Sequence, residues 1–200
     1  MSRIVLTEQA SSPSAPASGK VELYFKSNGR WYYKGDDGVE YEFATTGSSL
    51  SGSVIQSVRA TNNTRDTYAT VIPADDTIPQ ITEGTQVLSA TITPTDANSL
   101  LRVRVILFCS ALADGAAMAA ALFRDSTTNA INAVLANATG AAALQQMHMD
   151  HEEAAGSTSA TTFKVRFGPN TSGTAYLNGN SSRFMGGVVQ SSLVVEEIKA

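Results

Sequence analysis

Polar and apolar positions alternate in three short runs near the start of the chain: Val21-Glu22-Leu23-Tyr24-Phe25, Trp31-Tyr32-Tyr33 and Val39-Glu40-Tyr41-Glu42-Phe43. Asn28-Gly29 and Asp36-Asp37-Gly38 separate them, supplying the positive φ values that tight hairpins need. The pattern predicts a three-stranded β-meander over residues 20–43, with Val39, Tyr41 and Phe43 on one face. Ahead of it, the stretch from Ala10 to Gly19 is small and proline-bearing, so residues 1–19 read as an extended tether. Residues 44–53, made largely of Gly, Ser and Thr, read as a linker. Beyond it, short β-like segments recur between Gly, Pro, Asn and Asp: Val54–Val58, Thr67–Val71, Gln86–Thr93, Leu101–Phe108, Thr162–Phe167, Ala175–Leu177 and Ser192–Ile198. That spacing argues for an all-β sandwich over residues 54–200.

The region from Ala111 to Ala155 sets two signals against each other. Its alanines have high helix propensity. Its apolar positions, however, follow no sustained i, i+3, i+4 stripe, and Asp114-Gly115, Asp125-Ser126 and Thr139-Gly140 interrupt it at strand-like intervals. The periodicity is given precedence, which predicts strands over 116–124, 130–136 and 142–152.

Composition narrows the function classes. The 200 residues carry 14 Lys and Arg against 18 Asp and Glu, a formal net charge of -4, so the cationic surplus that drives phosphate binding is missing. Neither nucleic acid nor an anionic membrane is an expected partner. The sequence contains neither a run of signal-peptide type near Met1 nor roughly 20 consecutive apolar residues, so membrane insertion is not expected. The one cysteine, Cys109, sits in an apolar strand pattern with no charged activator beside it in sequence and reads as a buried, inert thiol.

Candidate sites are few. The meander concentrates aromatic side chains in a sheet too small to bury both faces by itself. These side chains either pack on the rest of the chain or dock into another protein or into copies of themselves. Tyr24, Trp31, Tyr32, Tyr33 and Tyr41 are the candidates for such an attachment surface. Arg102 and Arg104 alternate with valines on one strand; they form either a solvent face or a subunit interface, which would draw carboxylate partners from a neighbouring chain. Met147-His148-Met149-Asp150-His151-Glu152 is the one place where both histidines meet carboxylates. On a strand His148, Asp150 and Glu152 would share a face and His151 would take the other, a spacing that matches no zinc template. The expected reading there is a polar strand face without a metal. No phosphate loop or nucleophile elbow occurs, so no catalytic residue and no cofactor is expected.

Two stretches resemble known virion proteins. Ile4-Val5-Leu6-Thr7-Glu8-Gln9-Ala10 through Pro13, Pro16 and Ser18-Gly19-Lys20-Val21, with Leu23-Tyr24, Gly29, Tyr32-Tyr33 and Asp36-Asp37-Gly38, looks like the N-terminal module of structural fibre proteins from tailed bacteriophages. Ile78-Pro79-Gln80-Ile81-Thr82-Glu83-Gly84-Thr85-Gln86-Val87-Leu88, continuing to Ile92-Thr93-Pro94 and Leu101-Arg102-Val103, is similar to phage fibre knobs of the jelly-roll type found in tumour-necrosis-factor (TNF) and C1q heads. Their closing pattern is echoed by Phe163-Lys164-Val165-Arg166, Asn178-Gly179, Arg183-Phe184-Met185-Gly186-Gly187 and Ser192–Ile198. The resemblance implies a homotrimer located on the virion, a tail fibre, head fibre, spike or decoration protein. It would be joined to capsid or tail proteins through a β-meander anchor and present a jelly-roll head to a host-surface glycan or to the particle itself. A cement protein without receptor binding is the alternative it leaves open, with a glycan-cleaving appendage behind it. It carries over no catalytic residue.

Overall fold

Asn-Gly and Asp-Gly form the two turns they predict: Gly29 and Gly38 sit at φ 78° and 77°, and the strands on either side pair as antiparallel hairpins. The computed structural model describes residues 8–43, 51–111, 113, 116–140 and 142–200. Ile4-Val5-Leu6, residues 44–50 of the linker and the Asp114-Gly115 turn lie outside the described residues. The chain divides into two units, residues 1–50 and 51–200.

The first unit is a four-stranded sheet in the order β1-β2-β3-β4, built from β1 (Glu8–Gln9), β2 (Glu22–Lys26), β3 (Trp31–Lys34) and β4 (Glu40–Glu42). One strand more than the meander is present, because Glu8 and Gln9, placed in the tether by composition, pair in parallel with Phe25 and Lys26. The rest of that segment is also held. Lys34 Nζ donates to the Pro13 carbonyl at 2.8 Å and to Ser12 Oγ at 3.1 Å, and the Gly19 amide donates to Asp36 Oδ2 at 2.6 Å. These contacts use backbone groups and a serine hydroxyl, so hydrophobic patterning gives no sign of them.

The second unit contains β5 (Val54–Asn62), β6 (Asp66–Tyr68), β7 (Thr85–Ile92), β8 (Leu100–Ala111), β9 (Ala117–Arg124), β10 (Asn132–Asn137), β11 (Gln145–Ala154), β12 (Thr161–Pro169), β13 (Ala175–Leu177) and β14 (Ser191–Ile198). One antiparallel sheet runs β10-β9-β12-β7. The other runs β5-β14-β8-β13-β6, with β11 on the free side of β8. Alternate residues of both sheets meet in one core, with Leu101, Val103, Val105 and Leu107 from β8 against Leu122 from β9 and Phe163, Val165 and Phe167 from β12. The fold is all-β, as expected. Among the described residues there is no α-helix, and no helix is long and apolar enough to cross a membrane.

The alanine-rich region forms strands, and packing explains its composition. β9 is buried on both faces. Met118, Ala120 and Leu122 enter the central core, while Ala119, Ala121 and Phe123 pack under Ile72, with Ile81 and Ala130 beside them. Ile72 and Ile81 belong to the connection from β6 to β7, residues 69–84, which forms a strap over the outer face of this sheet. The strap is fastened by the Ile72 amide to the Pro169 carbonyl at 2.9 Å, the Ile81 amide to the Thr128 carbonyl at 2.8 Å, and Arg166 Nε to the Glu83 carbonyl at 2.6 Å. A strand with layers above and below it has room only for small side chains at most positions. The strap also ends the predicted Thr67–Val71 strand at Tyr68. Gly168 lets it lie close: a Cβ there would stand 2.0 Å from the Thr70 carbonyl oxygen.

Among the described residues of this unit one charged group, Glu197, is fully buried. Glu197 on β14 accepts from the Thr95 amide at 2.9 Å, Thr95 Oγ1 at 3.0 Å, the Asp96 amide at 3.2 Å and Gln56 Nε2 at 2.5 Å. Burial pushes its pKa up, but the hydrogen bonds from Gln56 and Thr95 outweigh that and hold the carboxyl below its ordinary value. It ties the β7–β8 loop to the end of β14.

Candidate docking surface

The register of the N-terminal sheet sorts its side chains completely. Phe25 faces Trp31, Leu23 faces Tyr33, and Tyr33 faces Tyr41 on one side; on the other, Tyr24 faces Tyr32, Tyr32 faces Glu42, and Lys34 faces Glu22 and Glu40. Every charged residue of the three long strands therefore lies on a single face.

That charged face is closed. Tyr24 and Tyr32 are stacked with ring centroids 5.9 Å apart and are only 3% and 8% exposed. The Tyr24 hydroxyl donates to Glu40 and lies 3.3 Å from Ser12 Oγ. Lys26 Nζ donates to Glu40 at 2.5 Å and stands 4.4 Å from the centre of the Tyr32 ring. The Lys26 ammonium and the Tyr24 hydroxyl together pull the Glu40 pKa down to about 2. Arg30 pairs with Glu42 at 2.6 Å.

The opposite face carries no charged strand residue; the carboxylate of Asp37, in the turn before β4, reaches its edge, where the Tyr41 hydroxyl donates to it at 3.4 Å. Phe25 and Trp31 meet edge to face at 5.3 Å, Tyr33 stacks on Tyr41 at 4.8 Å, and Phe43 meets Tyr33 edge to face at 5.3 Å. Val39, Tyr41 and Phe43 share this side, as their spacing predicts. Five large side chains at its border, Val21, Leu23, Val39, Tyr41 and Phe43, are 41–65% exposed. Of the five aromatic candidates, Trp31, Tyr33 and Tyr41 thus stand on the open apolar face, while Tyr24 and Tyr32 turn away from it into a satisfied polar layer. Aromatic content alone groups all five, because it does not reveal strand parity. Leu23, Phe25 and Phe43, outside that candidate set, complete the open face, and the two-residue alternation was the signal that could have found them.

In the second unit Arg102 and Arg104 lie on the outer face of β8. Arg102 Nε pairs with Glu152 of β11 at 2.5 Å, and an Arg104 guanidinium nitrogen pairs with Glu196 of β14 at 2.8 Å. Both arginines thus have carboxylate partners on adjacent strands of the same sheet. β11 carries His148, Asp150 and Glu152 outward, with Met147 and Met149 in the core. His151 turns the other way, 3.4 Å from Glu153. Among the described residues no group of three or more His, Cys, Asp and Glu is placed to hold a metal ion. Cys109 is fully buried, and burial pushes its pKa up to about 12.

A shallow groove of about 380 Å³ runs between the strap and the edge strand β10, lined by Ile72, Pro73, Asp75, Thr77 and Leu135 among others. In it Thr77 donates to Asp75 and lowers the carboxyl pKa of that residue, which makes a turn.

No known protein family and no curated protein matches the chain. Among solved structures, it is similar to the infectious bursal disease virus VP2 subviral particle, at 13% identity and a TM-score of 0.33. That alignment covers 74% of this chain and 39% of the other, so the chain spans about two fifths of that protein's length. Likeness at this level identifies neither a family nor a function.

Proposed function

We propose that the chain is a non-enzymatic structural subunit of a tailed-bacteriophage virion: a homotrimeric fibre, spike or decoration protein. It assembles through the N-terminal unit and displays residues 54–200 as a jelly-roll head of the TNF type. The observation that carries this reading is the open apolar face of the N-terminal sheet. A sheet of this size that leaves five large apolar side chains 41–65% exposed on one face needs a partner surface, which is what an assembly module provides.

Two further features support it. The strand orders β7-β12-β9-β10 and β14-β8-β11, with the chain passing between sheets at β7 to β8, β8 to β9, β10 to β11 and β11 to β12, are those a jelly-roll winding produces. The segments that resemble fibre knobs fall on the end of the strap with β7, and on β12 and β14. Head or tail proteins of the particle are then the neighbours of the N-terminal unit, and a host-surface glycan is the candidate ligand of the head.

The test is incorporation. Particles assembled with a chain lacking residues 1–50 should contain no head, while the truncated chain remains folded by circular dichroism. A truncated chain that still joins the particle would place the anchor in the head instead.

A further inference from the structure

We propose that the apolar face of the N-terminal sheet is covered by the same face of neighbouring copies of this chain, and not by another virion protein. The inference rests on the homotrimer reading and leaves contact with head or tail proteins to the parts of the N-terminal unit outside this face.

Three observations lead there. The first is chemical. Interfaces formed by proteins that also exist apart are only about as apolar as ordinary surface, whereas interfaces between permanently associated subunits resemble a core cut in half. The face around Trp31 is of the second kind, with no charged strand residue on it and a single carboxylate, that of Asp37, at its edge against the Tyr41 hydroxyl, while Lys26, Lys34, Glu40 and Glu42 are all gathered on the other side. Copies of such a face can meet around a threefold axis with the one carboxylate left at the rim, so the surface is suited to its own kind.

The second is area. With five border residues 41–65% exposed, the face leaves roughly 500 Å² of apolar surface open. A specific interface between free partners takes about 800 Å² from each side. The face is therefore too small to capture a partner from dilute solution on its own. It suffices where the other face is already held nearby, which is the situation of three N-terminal units tethered to one trimeric head.

The third is shape. The opposite side is filled by the chain itself, through the Ser12 and Pro13 contacts to Tyr24 and Lys34, so each N-terminal unit is a layer finished on one side only. Three such layers, each turning its unfinished side toward a common threefold axis, cover those sides with one another.

The protein reports on this face directly, because Trp31 is its only tryptophan. The experiment uses the purified full chain with no other virion component. Sedimentation gives the number of copies, and acrylamide quenching of Trp31 gives the coverage of the face. The expected result is a trimer in which Trp31 is shielded, and a several-fold rise in the quenching constant in Val21→Glu and in Leu23→Glu with the trimer intact. Val21 lies outside the paired strand residues, so its variant keeps the test valid even where Leu23→Glu disturbs the sheet. A trimer whose Trp31 is freely quenched, or is shielded only in assembled particles, would overturn the inference and leave the homotrimer reading standing. A monomer would overturn both.

Discussion

Glu197 offers the sharpest test of how the head is held together. Its carboxylate is fully buried and accepts from two backbone amides, one hydroxyl and one side-chain amide, all donated by Gln56 and the Thr95–Asp96 loop. Hydrogen bonds to a charged group contribute about 1.5–3 kcal/mol each, and a buried donor left without an acceptor costs about 1–3 kcal/mol. These contributions do not add in full, since the loop can shift toward water once released. Glu197→Ala is therefore expected to cost about 4 kcal/mol. Glu197→Gln, which keeps one acceptor oxygen but turns an NH₂ group toward existing donors, should cost about 2 kcal/mol. Denaturant unfolding of the full chain followed by circular dichroism measures both. The pH dependence gives a second reading. The carboxyl is held below its ordinary pKa of 4.5, so the unfolded chain binds the proton more readily. The stabilisation is present above about pH 4.5 and is lost as the pH falls through the folded pKa, and Glu197→Gln should remove that part of the acid sensitivity. If both variants fall within 0.5 kcal/mol of the parent at neutral pH, the loop is not held by this carboxylate.

Other expectations follow from single contacts. Gly168→Ala would place a methyl group 2.0 Å from the Thr70 carbonyl, so the strap must lift; a cost of about 3 kcal/mol and faster amide exchange at Ile72 are expected, and an unchanged melting temperature would show that the strap is not pinned there. Cys109, buried with its pKa near 12, should stay unlabelled by a thiol reagent at pH 8 until the chain unfolds, whereas stoichiometric labelling of the native protein would contradict its burial. The double substitution of Arg102 and Arg104 by Ala removes exposed ion pairs made within one chain, and neither oligomer size nor melting temperature should change; dissociation on sedimentation would instead assign these residues to a subunit interface.

The legible and the hidden parts of this fold divide along a physical line. Strand periodicity needs only neighbours in sequence, so the meander, its two turns and most strands of the head could be read directly. Even Ala116–Arg124 could be assigned, because its interruptions outweighed its helix propensity. The strap could not. Nothing local to Thr67–Val71 says that the strand stops at Tyr68, since the reason is the outer face of β9, fifty residues away in sequence. The same holds for Arg102 and Arg104: alternation places them outward, but their partners on β11 and β14 depend on strand order, which no single segment encodes.

The aromatic residues of the N-terminal unit carry that argument to the functional site. Composition made Tyr24, Trp31, Tyr32, Tyr33 and Tyr41 look alike. Strand parity separates them into a pair that is hydrogen-bonded and buried and a trio that is open, and parity was available from the sequence alone. Which face would be closed was not available, because the closing is done by Ser12, Pro13 and the Lys26–Glu40 pair, groups with no hydrophobic signature. The outcome is a sheet whose polar layer is satisfied by its own chain and whose apolar layer is not. Burial of apolar side chains is the main source of stability available to so small a unit, and that is the physical ground on which the proposal gives this layer a partner.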